Sequence, residues 1–219
     1  MAFQGHLKHG TSLLHTAEER LKQVLLPRVP RRIETYHLTL TTMLWSALIP
    51  LFCLFARASS HWLWAVNLCI IGQYITDLLD GAIGRARNTG LVKWGYYVDH
   101  FLDFIFLSAV FFGYAILLPA AFHTLILLTL VMFTGFMIHS FLEFACTNRF
   151  AISYLGVGPT EIRILFIVIN VLLVIFGKTH LSAALPYAVT ASLFGLFITV
   201  YRTARHLWHL DMIEKNKPS

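Results

Sequence analysis

The chain has 219 residues, of which 57% are hydrophobic and 13% charged, with a formal net charge of +6. Soluble domains carry roughly 25% charged residues, so this composition and a mean hydropathy of +0.68 exclude a water-soluble globular protein. The basic residues do not interleave with aromatics in any soluble-domain-sized stretch, which argues against a nucleic-acid partner and for anionic lipid or phosphorylated substrates.

In chain order, the N-terminus lacks a short apolar run followed by a small-residue cleavage site, so no cleaved signal peptide is expected. Thr16-Ala-Glu-Glu19 reads as a capping box. Leu14, Ala17, Leu21, Val24 and Leu25 then recur on one helical face, with Glu18, Arg20 and Lys22 off it. That pattern predicts a short amphipathic helix lying on the membrane surface. Six apolar runs follow, each close to the roughly 20 residues a bilayer span needs. They fall near Leu38–Ala56, Trp62–Leu79, Tyr96–Ala121, Thr124–Cys146, Pro159–Phe176 and Leu181–Tyr201. Pro50, Pro119 and Pro186 mark places where spans bend or end. Cys53, Cys69 and Cys146 lie in or at the ends of these runs with no CxxC pair, and read as small apolar fillers. The expected fold is an all-α integral membrane protein, six transmembrane helices preceded by a surface helix. Its divisions are a juxtamembrane segment 1–36, a membrane domain 37–204 and a tail 205–219. Every Lys and Arg except Arg57 and Lys178 falls on one side of that arrangement, which puts both termini in the cytoplasm.

Four carboxylates stand out against this apolar background. Asp77 and Asp80 end the second run, and Asp99 and Asp103 begin the third. An Asp at the centre of a membrane helix costs about 2.5–3.5 kcal/mol on insertion scales, so such residues face a cavity, pair, or hold a cation. Spacings of three and four residues put each pair on a single helix face. Two helices meeting at these ends could present four carboxylates to one or two hard divalent cations. Gly81, Gly84, Arg85, Arg87 and Lys93 lie between the pairs; glycine lets backbone approach a ligand, and arginine grips phosphate oxygens. Residues alone therefore suggest metal-dependent phosphoryl chemistry at the cytoplasmic membrane face. A cation transporter using the Asp cluster is the alternative from another class, but transporters show repeats and midplane sites, whereas these acids sit near span ends.

Other polar residues carry weaker signals. His100 follows Asp99 and is expected to point away from it, as a supporting or solvated residue. His139 and Glu143 share a face of the fourth span and should bond to each other. Thr39, Thr41 and Thr42 are expected to bond to their own helix. Phe101, Phe104, Phe106, Phe111 and Phe112 read as lipid- or partner-facing packing. Gly158-Pro159-Thr160-Glu161-Ile-Arg163 suits a helix start, and with Arg149 it could also contact an acceptor.

The run Asp77-x2-Asp80-Gly81-x2-Gly84-Arg85, nine residues, then Gly95-x3-Asp99-x3-Asp103 resembles the signature of the CDP-alcohol phosphatidyltransferase family. That signature is D-x2-D-G-x2-A-R, a spacer of eight or nine, then G-x3-D-x3-D. The one departure is Gly84 in place of Ala, which bears on helix packing more than on chemistry. The resemblance implies a homodimer whose protomers each bind two divalent ions, Mg²⁺ or Mn²⁺. It implies Asp77, Asp80 and Asp99 as metal ligands, Asp103 as both ligand and general base, and Gly81, Arg85 and Gly95 at the cytidine diphosphate site. The implied reaction passes a substituted phosphate from a CDP-alcohol to an acceptor alcohol with release of CMP, one of the two substrates being a lipid. Relatives using CDP-choline or CDP-ethanolamine have a Thr-Glu like Thr160-Glu161 and often a His like His100. Relatives with phosphorylated acceptors often carry Lys or Arg where Phe104 stands. Short six-span members mostly take CDP-diacylglycerol, and Arg149 with Arg163 could hold an acceptor phosphate; the balance falls on CDP-diacylglycerol, with CDP-choline or CDP-ethanolamine acting on diacylglycerol as the rival.

Overall fold

The computed structural model describes residues 7–9, 14–89, 91–151, 158–177 and 179–216. Its order is α1 (His15–Leu25), α2 (Thr35–Phe55), α3 (Leu63–Arg87), α4 (Val92–Leu117), α5 (His123–Thr147), α6 (Pro159–Phe176) and α7 (Thr179–Lys215). Six of these helices are long and apolar enough to cross a membrane, and α1 precedes them. The protein is an all-helical integral membrane protein. Apart from helices, the described residues form one short parallel pairing, Leu7–His9 against Arg149–Ala151.

The span ends differ from the hydropathy reading for local reasons. Helix α3 does not stop with the apolar run at Leu79 but carries the motif on to Arg87, where Asn88 in the left-handed conformation (φ 54°) ends it, as Asn commonly does. The motif residues from Asp77 to Arg85 are therefore helical, and only Asn88–Leu91 connects the two motif helices. Helix α4 ends at Leu117, short of Ala121, because Leu118 before Pro119 takes an extended conformation (ψ 153°). Pro50 and Pro186 lie inside α2 and α7, which continue through them.

Helix α1 forms where its periodicity predicted, but not through the expected cap. It starts at His15 with Leu14 in the capping position and no side-chain cap. Thr16 is thus already inside the first turn, and Glu19 turns to Lys22 at 2.6 Å instead of back to the backbone. That ion pair holds the Glu19 carboxyl below its ordinary range. Leu14, Ala17 and Leu21 face Ile70, Tyr74 and Ile167 of α3 and α6, and Glu18 accepts a hydrogen bond from Thr160 at the start of α6.

Helix α2 is the spine on which both motif helices pack. Its buried face is Thr35, Thr39, Thr42, Ser46, Ile49 and Cys53, while Leu40, Met43, Leu44, Leu51 and Leu54 face outward. Lipid is as apolar as leucine, so membrane helices gain little by burying leucine and approach closely through small residues. Glycines on the partners do the same. A Cβ at Gly72 of α3 would stand 2.8 Å from the Trp45 ring, and one at Gly113 of α4 would stand 2.7 Å from Cys53 Sγ. Deeper in the bundle, Asn170 of α6 donates to Asn67 of α3 (2.8 Å) and accepts from Tyr114 of α4 (3.2 Å). Interhelical hydrogen bonds of this kind are worth about 0.6 kcal/mol each on average, and here they fix the register of α6 against the motif helices. The core otherwise includes Phe106, together with Phe111 and Phe166, which meet edge to face. Phe106 and Phe111 are thus interior; Phe101, Phe104 and Phe112 point outward as expected. Cys53 and Cys69 are buried fillers, and Cys146 is exposed.

The C-terminal end of α3 also fastens the juxtamembrane linker. Arg87 donates to the carbonyls of Ile33 (2.7 Å) and Val29 (3.0 Å). Glu34, whose amide donates to His37 Nδ1 at the start of α2, accepts from Thr89 Oγ1 at 3.2 Å. The linker after α1, the start of α2 and the end of α3 are thereby tied together, about two turns beyond Asp80.

Candidate active site

The aspartates come from two helices that are adjacent in sequence and share α2 as their packing partner. Asp80 is the most enclosed, at 6% exposure. Its Oδ2 lies 2.8 Å from Thr39 Oγ1 on α2, and its Oδ1 accepts from the Gly81 amide. Thr39 Oγ1 also sits 3.1 Å from the Thr35 carbonyl, but its single proton favours the carboxylate, the stronger acceptor. Thr39 was expected to bond only within its own helix, as Thr41 does to Leu38. Instead it braces Asp80 from the neighbouring helix.

On α4, oxygens of Asp99 and Asp103 and a ring nitrogen of His100 lie within 4.8 Å of one another. His100 does not point into solvent: its Nδ1 is 3.3 Å from Asp99 Oδ2 and its ring stacks on Phe141 of α5 at 5.5 Å. Asp77 joins this group across the helix gap through Arg163 of α6. The same Arg163 Nη2 is 2.9 Å from Asp77 Oδ2 and 3.3 Å from Asp103 Oδ1. Asp77 and Asp99 are the charged neighbours of both Asp80 and Asp103. All four aspartates therefore belong to one electrostatic cluster at one end of the bundle.

The remaining motif positions have distinct surroundings. Arg85 folds back over Gly81, so that a Cβ there would lie 3.2 Å from Arg85 Nη1; a side chain at 81 would displace the guanidinium. Gly95 has open space where its Cβ would be. Glu161 accepts from the Gly158 amide at 2.8 Å and so serves the start of α6. Arg149 begins the second strand of the short pairing, and its side chain lies outside the described residues. His139 lies 3.6 Å from Glu143, the expected pair, and also 3.3 Å from Thr203 on α7.

Arg163, expected from its place at the start of α6 to contact an acceptor, instead joins the aspartates. A usable signal existed: an arginine one turn inside an apolar helix must find an acid, and few acids lie at that depth.

Chemically, the donor set is hard: carboxylate oxygens with one imidazole and no thiolate. Such a set fits Mg²⁺ or Mn²⁺. A carboxylate cluster at the end of a six-helix bundle, with an arginine folded over a glycine beside it, is chemically suited to a metal-bound phosphate. The comparisons carry this further. The family model for CDP-alcohol phosphatidyltransferase matches residues 38–201, and the chain belongs to that family. A comparison with curated proteins gave no match.

Proposed function

We propose that this protein transfers a substituted phosphate from a CDP-alcohol to an acceptor hydroxyl at the cytoplasmic membrane face, releasing CMP, with CDP-diacylglycerol as donor and a small polar alcohol as acceptor. The observation that carries the reading is the single cluster formed by Asp77, Asp80, Asp99 and Asp103, in a chain matched by the family model over residues 38–201. Asp77, Asp80, Asp99 and Asp103 would hold the divalent ions, two per protomer. Bound there, the ions would neutralise the diphosphate and stabilise CMP as leaving group.

The chain's own residues do the rest. Arg85, lying over Gly81, grips diphosphate oxygens as a fork, and open space at Gly95 lets the nucleotide approach the backbone. Asp103 takes the proton of the acceptor hydroxyl. The acceptor oxygen bonds to the phosphorus that carries the non-nucleotide group, the bond from that phosphorus to the bridging oxygen breaks, and CMP departs with the bridging oxygen. Thr39 holds Asp80 in place, so the carboxylate need not reorganise during reaction. A homodimer, with both termini and the site on the cytoplasmic side, completes the reading.

The rival donor, CDP-choline or CDP-ethanolamine with diacylglycerol as acceptor, draws support from His100 beside Asp99 and Asp103. Purified protein incubated with a panel of CDP-alcohols and acceptors, read as CMP release, decides between them. The expected result is Mg²⁺- or Mn²⁺-dependent CMP release with CDP-diacylglycerol. Release only with CDP-choline or CDP-ethanolamine selects the rival, full activity after exhaustive chelation ends the metal assignment, and no CMP from any donor ends the enzymatic one.

A further inference from the structure

Arg163 is a buried cation on an apolar helix, and both of its nearest acids are proposed metal ligands. Its side chain is 8% exposed, and one nitrogen, Nη2, reaches Asp77 Oδ2 at 2.9 Å and Asp103 Oδ1 at 3.3 Å. Its Cζ stands 6.0 Å from the Tyr74 ring centroid and 5.9 Å from that of Phe106, so the guanidinium is walled by aromatic faces that favour a cation. Two carboxylates from different helices at this depth repel each other and are costly to enclose without a counter-charge. The guanidinium supplies it, bridging α3 and α4 from α6. The register that brings it there is set two turns further along α6, where Asn170 bonds to Asn67 and Tyr114.

We infer that Arg163 is a tethered counter-cation of the aspartate cluster, which competes with divalent ions for Asp77 and Asp103. A divalent ion and the guanidinium draw on the negative charge of the same two carboxylates, so what one gains there weakens the hold of the other. Arg163 thus offsets part of the cluster's negative charge and lowers its intrinsic affinity for metal. This inference rests on the metal-dependent reading of the site, but its test needs no turnover.

The experiment compares Mn²⁺ affinity of wild-type protein, R163Q and R163K in detergent without nucleotide, by titration calorimetry. Removing a competitor that makes two charge-assisted bonds should tighten Mn²⁺ binding by about tenfold in R163Q. R163K keeps the charge without the fork and should fall between R163Q and wild type. In the metal-chelated state R163Q should melt below wild type, and saturating Mn²⁺ should narrow that gap. A merely structural role predicts the opposite, weaker Mn²⁺ binding in both variants. Equal or weaker binding by R163Q with wild-type helix content overturns the inference; should R163Q not fold, equal or weaker binding by R163K does so. Wild-type protein that releases CMP while R163Q gains no affinity refutes the inference alone. Protein that releases no CMP from any donor refutes the proposed reaction, while the Mn²⁺ comparison still decides the role of Arg163.

Discussion

At the residue scale, the four aspartates are chemically alike but differently held. Asp80 is braced by Thr39 and its own neighbour's amide, Asp77 and Asp103 share a guanidinium, and Asp99 faces His100. The proposed roles follow these surroundings: a braced carboxylate suits a fixed ligand, and one shared with a displaceable partner suits a group that must also meet an incoming hydroxyl. Asp103→Asn should therefore lower turnover by about 10²–10⁴-fold, the usual contribution of a general base, while donor binding is largely kept. Arg85→Ala should act the other way, raising the donor KM with a smaller effect on turnover, because its guanidinium lies over Gly81 and its proposed role is to grip the diphosphate. Steady-state kinetics on both variants separate the two roles. Near-wild-type turnover in Asp103→Asn would move the base elsewhere, with His139 and Glu161 the next residues to test.

At the element scale, the site depends on α2, which carries none of the aspartates. The motif helices α3 and α4 each pack closely on α2, at Trp45 against Gly72 and at Cys53 against Gly113. Gly113→Ala would place a methyl 2.7 Å from Cys53 Sγ, and overpacking of this kind typically costs about 1–3 kcal/mol. The double variant Gly113→Ala/Cys53→Ala should recover most of that loss, since the clashing sulfur is gone. Thermal unfolding in detergent reads both, and a single variant as stable as wild type would show that α2 and α4 are not in tight contact. Such contacts explain what could and could not be foreseen. The six spans and the aspartate pairs were legible because a long apolar run and acids three or four residues apart carry their meaning locally. Thr39 against Asp80, and Arg163 against Asp77 and Asp103, were not, because they join residues 41 to 86 positions apart through helix packing that periodicity does not encode. The capping box at Thr16 failed for a different, local reason: α1 already begins at His15, so Thr16 lies inside the first turn, and Glu19 pairs with Lys22 one turn on.

At the scale of the whole molecule, charge and helix length together predict how the bundle sits in a bilayer. The membrane-candidate part of α7 runs from Leu181 to Lys215; at 1.5 Å per residue those 35 residues extend about 50 Å, against a hydrocarbon core of about 30 Å. The excess carries Arg202, Arg205, His206, His209, Asp211, Glu214 and Lys215, so the helix projects from the membrane at the basic end. Arg85, Arg87 and Lys93 flank the aspartates at the junction of α3 and α4, and Arg28, Arg31 and Arg32 lie on the linker that Arg87 clasps. Arg57 stands at the opposite end, between α2 and α3. Positive residues are retained in the cytoplasm, so the aspartate site is expected to open there, where CDP-alcohols and released CMP are handled. Single cysteines at Arg57 and Lys215 test this, introduced after exposed Cys146 has been changed to Ser; Cys53 and Cys69 are buried and can stay. In intact cells, an impermeant thiol reagent should label the cysteine at 57 and spare the one at 215 until the membrane is permeabilised. The reverse pattern would turn the protein over and put the aspartates on the far side, where a cytidine-nucleotide donor supplied by the cytoplasm could not reach them.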